Sequence, residues 1–260
     1  MDAITADLVA EHDSLDALVR DLPPEAWEVP TPAAGWAVRD QISHLWFFDD
    51  RAILAVTDPD TFVADAKQIL TSARDPSVEH GRSVPPDQLL EDWREGRARM
   101  VEVLNGLDPN ARIVWYGPAM GARSFATARL METWAHGQDI ADAVGVHRLP
   151  TARLRHVAHI GVRARPFSYA TRNRPVPEGD VYVSLDPPGG SEPWTWGDEA
   201  AADHDLVTGP ALDFCLVVTQ RRHLDDTALV AEGPLAEEWM DIAQAFAGPP
   251  GTGRAPGQFK

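Results

Sequence analysis

The first 148 residues carry the spacing of apolar positions that is typical of helices. In the opening segment, apolar residues recur every three to four positions until Pro23 and Pro24 interrupt the pattern. Three further long segments and one shorter segment repeat this spacing. The predicted helices cover residues 6–19, 38–55, 61–73, 88–107 and 124–144. Four long helices with mostly long connections are typical of a four-helix bundle that contains one wide crossover.

The pattern changes after Pro150. Residues 154–162 continue a helical period, whereas residues 166–177 are interrupted by proline and predict a linker. Short alternating segments then predict strands, and two apolar segments predict helices beside them. The predicted strands cover residues 181–185, 194–196, 205–208 and 228–232, and the predicted helices cover 211–220 and 235–246. We therefore expect an α+β protein with a helical bundle over residues 1–148 and a smaller α+β domain over residues 149–260.

Composition excludes several classes of protein. The 260 residues are 44% hydrophobic, which is enough to bury a core and excludes disorder over most of the chain. The formal net charge of −17 repels phosphate backbones, so we expect no nucleic-acid partner. The lone Cys215 excludes a disulfide framework, and its apolar neighbours predict a buried, inert thiol.

No apolar run is long enough to span a membrane, and the N-terminal segment does not resemble a signal peptide. We therefore expect a cytoplasmic protein that does not bind a membrane.

Two histidines and a glutamate form the most distinctive chemical pattern. Glu132 and His136 are four residues apart, so both side chains project from one face of the fourth long helix. His44 lies within the second long helix, among apolar neighbours where an unpaired imidazole is costly. If these helices face each other, the three side chains offer two imidazoles and one carboxylate. Catalytic zinc accepts such a set and keeps one position open for substrate.

Simpler interpretations of the same residues stay open at this point. A glutamate and a histidine at this spacing often form a surface hydrogen bond, and a histidine on an apolar face often bonds a backbone carbonyl. His156 and His159 form a second pair at helical spacing. No motif places a third ligand beside them, so a polar helix face is the better interpretation of that pair.

Two segments resemble a known family. Residues 31–45 (TPAAGWAVRDQISHL) are similar to the second-helix signature of the DinB-like metalloenzyme superfamily, and more narrowly of the branch that contains mycothiol-dependent maleylpyruvate isomerase. Residues 132–140 (ETWAHGQDI) resemble the second ligand segment of that branch. The resemblance implies a DinB-like bundle in which His44, Glu132 and His136 bind a divalent metal, usually zinc. Nickel, manganese or iron would accept the same ligands.

The resemblance extends into the second half of the chain. Residues 207–215, 219–223 and 245–247 are similar to an uncharacterised actinobacterial subgroup of the superfamily that is described only as metal-binding. In the isomerase relatives the second domain covers the metal cleft and gives it basic character. The same role is therefore implied for residues 149–260.

The activity that the resemblance implies is metal-dependent activation of a low-molecular-weight thiol, which is mycothiol in the relatives. The thiolate would attack an electrophilic small molecule, and the outcome would be isomerisation or thiol transfer. Two alternatives stay open, because one fold carries several chemistries. The first is a metal-dependent hydrolase or lyase that uses no thiol. The second is a non-enzymatic module that binds a ligand or a partner.

Seven further residues are candidates for supporting roles. Asp139, one turn beyond His136, and Asp40, one turn before His44, are placed to orient the two imidazoles. Asp40 alternatively favours the dipole at the N-terminus of its own helix. Five residues are candidates for contact with substrate: His12, Trp46, Trp134, Arg221 and Arg222. The arginines among them suit an anionic group on the substrate or the thiol.

Overall fold

Four long helices build the first part of the molecule, because each carries an apolar face that it buries against its neighbours. The computed structural model describes residues 1–71 and 74–259, without the side chain at position 70. The chain divides into two units, Met1–Arg148 and Leu149–Lys260, which we describe one at a time. The first unit is mainly helical and the second combines helices with a sheet, so the predicted α+β class is confirmed.

The first unit contains six helices and one small hairpin among its described residues. They are α1 (Asp2–Val19), α2 (Val38–Thr57), α3 (Pro59–Thr71), α4 (Glu79–Ser83), α5 (Pro86–Asn105), β1 (Arg112–Ile113), β2 (Met120–Gly121) and α6 (Ala122–Val144). Helix α2 packs against α5 and α6, and α1 packs against the same two helices. This closed arrangement is the predicted four-helix bundle.

The bundle core consists of apolar side chains from all four long helices. Its central members are Leu15, Val19, Ile42, Leu45, Leu89, Trp93 and Ile140, all at most 1% exposed. Burying a side chain of this size is worth about 1.5–3 kcal/mol. The core therefore fixes which faces of α2 and α6 meet, and these are the helices that carry the predicted ligands.

The crossover between α2 and α5 docks on α2 through specific polar contacts. It contains α3, a 3₁₀ turn at Pro76–Val78, and α4. The hydroxyl of Ser43 donates to the carbonyl of Ser77 at 2.7 Å and accepts the N–H of Gly81 at 2.9 Å. A Cβ at Gly81 would lie 2.6 Å from the Cβ of Ser43, so this close approach requires glycine. The helix predicted over 61–73 is observed as α3, and positions 72 and 73 lie outside the described residues.

The second unit contains a four-stranded mixed sheet with helices around it. Its elements are α7 (Leu154–Arg163), α8 (Arg165–Ala170), β3 (Tyr182–Asp186), β4 (Trp194–Trp196), β5 (Leu206–Pro210), α9 (Ala211–Val218), β6 (Val230–Glu232) and α10 (Pro234–Ile242). The strand order is β4-β3-β5-β6, in which β3 and β5 are parallel and the other pairs are antiparallel. All four predicted strands are present.

The predicted linker over residues 166–177 is wrong in its first part. Residues Arg165–Ala170 form α8, and Pro166 occupies the first turn of that helix. Proline is tolerated there because the backbone N–H it lacks would have no partner within the helix. No helix in the described part of the chain is long and apolar enough to cross a membrane.

Candidate metal centre

Helices α2 and α6 bring the three predicted ligands together. The Nε2 atom of His136 lies 3.3 Å from Oε2 of Glu132, and Nε2 of His44 lies 3.8 Å from the same oxygen. One donor atom from each residue falls within 4.8 Å of the other two. Within residues 1–71 and 74–259, this is the one group of three histidine, cysteine or acidic side chains close enough to share a cation.

The far side of the His136 ring is held by a neutral chain of hydrogen bonds. Its Nδ1 atom lies 2.5 Å from Oε1 of Gln41, and the amide nitrogen of Gln41 donates to the hydroxyl of Thr31 at 2.8 Å. That hydroxyl donates in turn to the carbonyl of Trp36 at 2.9 Å. Because the amide nitrogen of Gln41 donates to Thr31, the amide oxygen faces His136 and accepts a hydrogen bond from Nδ1–H. The neutral form of the His136 imidazole therefore carries its proton on Nδ1 and has its lone pair on Nε2, the atom on the side of Glu132.

The far side of the His44 ring meets the crossover. Its Nδ1 atom lies 3.0 Å from the hydroxyl oxygen of Ser77, and Ser77 donates to Oδ1 of Asp75 at 2.6 Å. The sequence analysis did not identify Gln41, Ser77 or Asp75. Gln41 lies in the segment that carries the family resemblance, but Ser77 and Asp75 lie in a connector with no recognisable motif.

Glu132 supplies the negative charge of the cluster. Burial by itself would raise the pKa of this carboxyl, but hydrogen bonds from the protonated imidazoles of His136 and His44 outweigh burial and hold its pKa well below the usual range. The positive charge of Arg129, one turn earlier on α6, acts in the same direction. When both imidazoles are neutral, the cluster offers one carboxylate oxygen and two imidazole lone pairs, which is a donor set that suits Zn²⁺ and related divalent ions.

Two aromatic side chains stand beside the imidazoles. The Trp36 ring lies 5.0 Å from the ring of His44 and stacks on His136 with 5.9 Å between centroids. The Phe48 ring lies 4.5 Å from His44, one turn further along α2. Both aromatic side chains are partly exposed. These rings form an apolar wall at the cluster, and neither of them was predicted from the sequence.

Asp40 does not orient His44 as expected. Its Oδ2 atom accepts the N–H of Ala37 at 2.9 Å, and Arg82 donates to both of its oxygens at 2.8 and 3.0 Å. These contacts place Asp40 at the N-terminus of α2, where it satisfies an otherwise unpaired backbone group. The structure therefore supports the alternative role, in which Asp40 acts at the N-terminus of its own helix. Asp139 is fully buried on α6, and its role toward His136 stays a prediction.

The structure shows other contacts for His12, Trp46 and Trp134, and their role toward substrate stays a prediction. His12 is 2% exposed in the core, where its ring meets the edge of Trp93. Trp46 stacks on His80 at 4.1 Å and lines a cavity of about 410 Å³. Trp134 is 6% exposed, and its carbonyl accepts a hydrogen bond from Arg148.

Arg221 and Arg222 belong to the second unit, and their role toward substrate stays a prediction. Arg221 donates to the carbonyl of Thr219, and the guanidinium of Arg222 lies 4.0 Å from the ring of Phe259. The thiol of Cys215 is fully buried, and burial raises its pKa well above the usual value. A thiol in this environment stays protonated and unreactive, in agreement with the sequence.

Known proteins resemble this chain over nearly its whole length. The family model described as the mycothiol maleylpyruvate isomerase N-terminal domain matches residues 8–141, which include His44, Glu132 and His136. Two uncharacterised proteins of Mycobacterium tuberculosis, from strains CDC 1551 / Oshkosh and ATCC 25618 / H37Rv, are each 47% identical over 256 residues. The alignments cover 96% of this chain and 97% of each relative.

Two crystal structures share the fold. That of the mycothiol-dependent maleylpyruvate isomerase aligns with a TM-score of 0.60 and 14% identity, over 90% of this chain and 95% of its own. A histidine-to-alanine mutant of the same enzyme aligns with a TM-score of 0.61 and 15% identity over the same shares. At such low identity the likeness shows the fold alone. From the family model and the relatives at 47% identity, the chain belongs to the mycothiol maleylpyruvate isomerase N-terminal domain family.

Proposed function

We propose that the first unit binds one divalent cation, with Zn²⁺ as the best fit, through His44, Glu132 and His136. The observation that carries this proposal is the convergence of the three donor atoms within 4.8 Å. The Gln41 hydrogen bond supports it, because it leaves the metal-facing nitrogen of His136 with a lone pair. Three protein ligands leave a coordination position for a small molecule, which is typical of catalytic rather than structural zinc.

We further propose that the protein is a thiol-dependent isomerase or transferase that uses mycothiol or a similar low-molecular-weight thiol. Membership of the family supports this assignment. A bound divalent cation supplies a Lewis acid that lowers the pKa of a thiol held at the open position. In an isomerisation, the sulfur adds to the electrophile and later leaves, so the thiol is regenerated. In a transfer, the new carbon–sulfur bond remains.

The residues of this chain provide binding and orientation for that chemistry. When a divalent ion is bound, Glu132 contributes one negative charge and the two neutral imidazoles contribute none. The site then has a net charge of +1. This residual charge favours a thiolate over a neutral thiol. Trp36 and Phe48 give the site an apolar wall that limits the access of water to an attacking sulfur.

Metal content is the first test of this proposal. Purified protein, the double variant His44→Ala/His136→Ala and the control His147→Ala are analysed by plasma mass spectrometry after incubation with Zn²⁺ and removal of the excess. His147 is an exposed histidine of the same unit. We expect about one ion per chain in the wild type and the control, and almost none in the double variant. Equal metal content in all three would contradict the site.

Loss of free thiol is the second test. The zinc-loaded protein is mixed with mycothiol or cysteine and a panel of α,β-unsaturated carbonyl compounds, and both free sulfhydryl and product are followed. Thiol-dependent turnover that disappears in the double variant supports the proposal. Turnover with metal but without thiol would instead support the hydrolase or lyase alternative. A metal-free, folded and inactive protein would support a binding module.

A further inference from the structure

We infer that Asp75 and Ser77 are positioning residues that fix the tautomer of His44 and thereby hold its Nε2 lone pair ready for the metal. This inference rests on the proposed metal site. Ser77 is 1% exposed, and its hydroxyl oxygen lies between Nδ1 of His44 at 3.0 Å and Oδ1 of Asp75 at 2.6 Å. The backbone N–H of Ser77 donates to the same carboxylate oxygen at 3.0 Å.

The direction of these hydrogen bonds follows from the groups involved. An ionised carboxylate only accepts, so the hydroxyl of Ser77 donates its single proton to Asp75. That hydroxyl has only lone pairs left for His44, and Nδ1 of His44 must therefore be the donor. A neutral imidazole with its proton on Nδ1 has a lone pair on Nε2, the atom that faces Glu132. The two residues thus select, for the neutral form of His44, the tautomer that can bind a metal.

The crossover holds Ser77 in place from the other side. Ser43, the residue before His44 on α2, donates to the carbonyl of Ser77 at 2.7 Å and accepts the N–H of Gly81. Both serines are at most 1% exposed. The position of the Ser77 hydroxyl is therefore set by the docked crossover, so the tautomer of His44 depends on the docking.

The two proposed imidazole ligands differ in the group that accepts a hydrogen bond from Nδ1. A neutral amide, Gln41, accepts from His136, whereas the acceptor behind His44 is a hydroxyl polarised by the carboxylate of Asp75. A hydroxyl that donates to a charged acceptor is itself a stronger acceptor, because hydrogen bonds in a chain polarise one another. His44 is consequently the more electron-rich of the two nitrogen ligands, and the loss of Asp75 or Ser77 weakens it selectively.

A purely structural role for Asp75 makes a different prediction. Asp75 precedes the 3₁₀ turn Pro76–Val78, and its side chain accepts the Ser77 N–H as the cap of that turn. If capping were its whole function, replacing it would alter stability without changing the protonation pattern of His44. The tautomer of His44 is therefore the readout that separates the two roles.

The experiment uses metal-free full-length protein labelled with ¹⁵N at histidine, at a pH at which the His44 signals are those of a neutral imidazole, and these signals are assigned by substitution. We expect Nδ1–H in the wild type and in Asp75→Asn, because an asparagine oxygen still accepts from Ser77. In Asp75→Ala the freed hydroxyl of Ser77 donates to Nδ1, so His44 shifts toward the Nε2–H form. Ser77→Ala leaves a mixture of the two forms. The control is Ser83→Ala, an exposed serine on the same crossover, and it leaves the signals unchanged.

Zinc affinity, measured by competition with a chromophoric chelator, is the second readout. We expect Asp75→Ala and Ser77→Ala to bind Zn²⁺ about 10–100-fold more weakly than the wild type, and Asp75→Asn to be weakened less. An unchanged His44 tautomer in both alanine variants, with the fold intact by circular dichroism, would overturn the inference. If the tautomer shifts but the wild type binds no Zn²⁺, the proposed metal site fails and the positioning of His44 by Asp75 and Ser77 stands.

Discussion

At the scale of single residues, His12 makes stability depend on pH. Burial, together with the positive charges of Arg97 and Arg129, lowers the pKa of His12 to about 3, compared with 6.5 for an ordinary histidine. Between these values the unfolded chain binds a proton that the folded chain does not. The stabilisation that comes from keeping His12 neutral is therefore complete above pH 6.5 and is lost as the pH falls toward 3.

His12→Gln removes this titration while keeping a polar side chain in the core. We expect the free energy of unfolding of the wild type to fall more steeply than that of the variant below pH 6.5. The difference in slope approaches about 1.4 kcal/mol per pH unit, which corresponds to one proton. Urea unfolding at pH 7, 6, 5 and 4.5 measures both slopes, and parallel curves would contradict a neutral buried His12.

A buried ion pair on the ligand helices supports a second prediction. The guanidinium of Arg129 lies 2.8 Å from Oδ1 of Asp49, and the two side chains are 3% and 1% exposed. Burial raises the pKa of Asp49, and Arg129 opposes that effect. Arg129→Met would leave a buried carboxyl without its partner, and we expect a loss of about 3–5 kcal/mol at pH 7.

The double variant Arg129→Met/Asp49→Asn tests the origin of that loss. It removes both charges, so its stability should recover part of what the single variant loses. Urea unfolding of the wild type, Arg129→Met, Asp49→Asn and the double variant completes the cycle. It measures the interaction energy between the two side chains. A double variant that loses the sum of the two single losses would show that the side chains act independently, contrary to the observed contact.

At the scale of elements, the docked crossover depends on Gly81. Because a Cβ at this position would lie 2.6 Å from the Cβ of Ser43, Gly81→Ala must push α4 away from α2. We expect a loss of stability of about 1–3 kcal/mol, the usual cost of overpacking. Zinc affinity should also fall, since the displaced crossover carries Ser77 away from His44.

Gly96→Ala is the matched control for this substitution. The added Cβ would lie 3.4 Å from the Trp46 ring, an ordinary contact, and α5 should gain up to about 1 kcal/mol from the higher helix propensity of alanine. Thermal unfolding and zinc competition on both variants give the comparison. Equal behaviour of the two variants would contradict the proposed coupling between crossover docking and the metal site.

The elements also show what the sequence could predict. The four long helices were predictable because a period near 3.6 persists over 18–23 residues in each of them. Helices α4 and α8 were missed because five or six residues are too few to show a period. The three ligands have a local signal on their helices. Ser77 has none, because its relation to His44 exists only after the crossover has folded onto α2.

At the scale of the whole molecule, the three proposed ligands and their partners all lie in the first unit, Met1–Arg148. The hydrogen bonds behind the imidazoles, through Gln41 and Ser77, are internal to the same unit. We therefore expect a fragment of residues 1–148 to bind one Zn²⁺ with an affinity within about tenfold of the full chain, a difference of about 1.4 kcal/mol or less. Substrate binding is a separate matter, because the family resemblance assigns part of that role to the second domain.

The fragment is tested against the full chain and against the same fragment carrying His44→Ala. Circular dichroism first establishes that the fragment is helical, and chelator competition then gives its zinc affinity. We expect binding in the fragment, loss of binding in its His44→Ala variant, and thiol-dependent turnover only in the full chain. A helical fragment that binds no zinc would mean that residues beyond position 148 contribute to the metal site. Full turnover in the fragment would instead remove the second domain, and with it Arg221 and Arg222, from the chemistry.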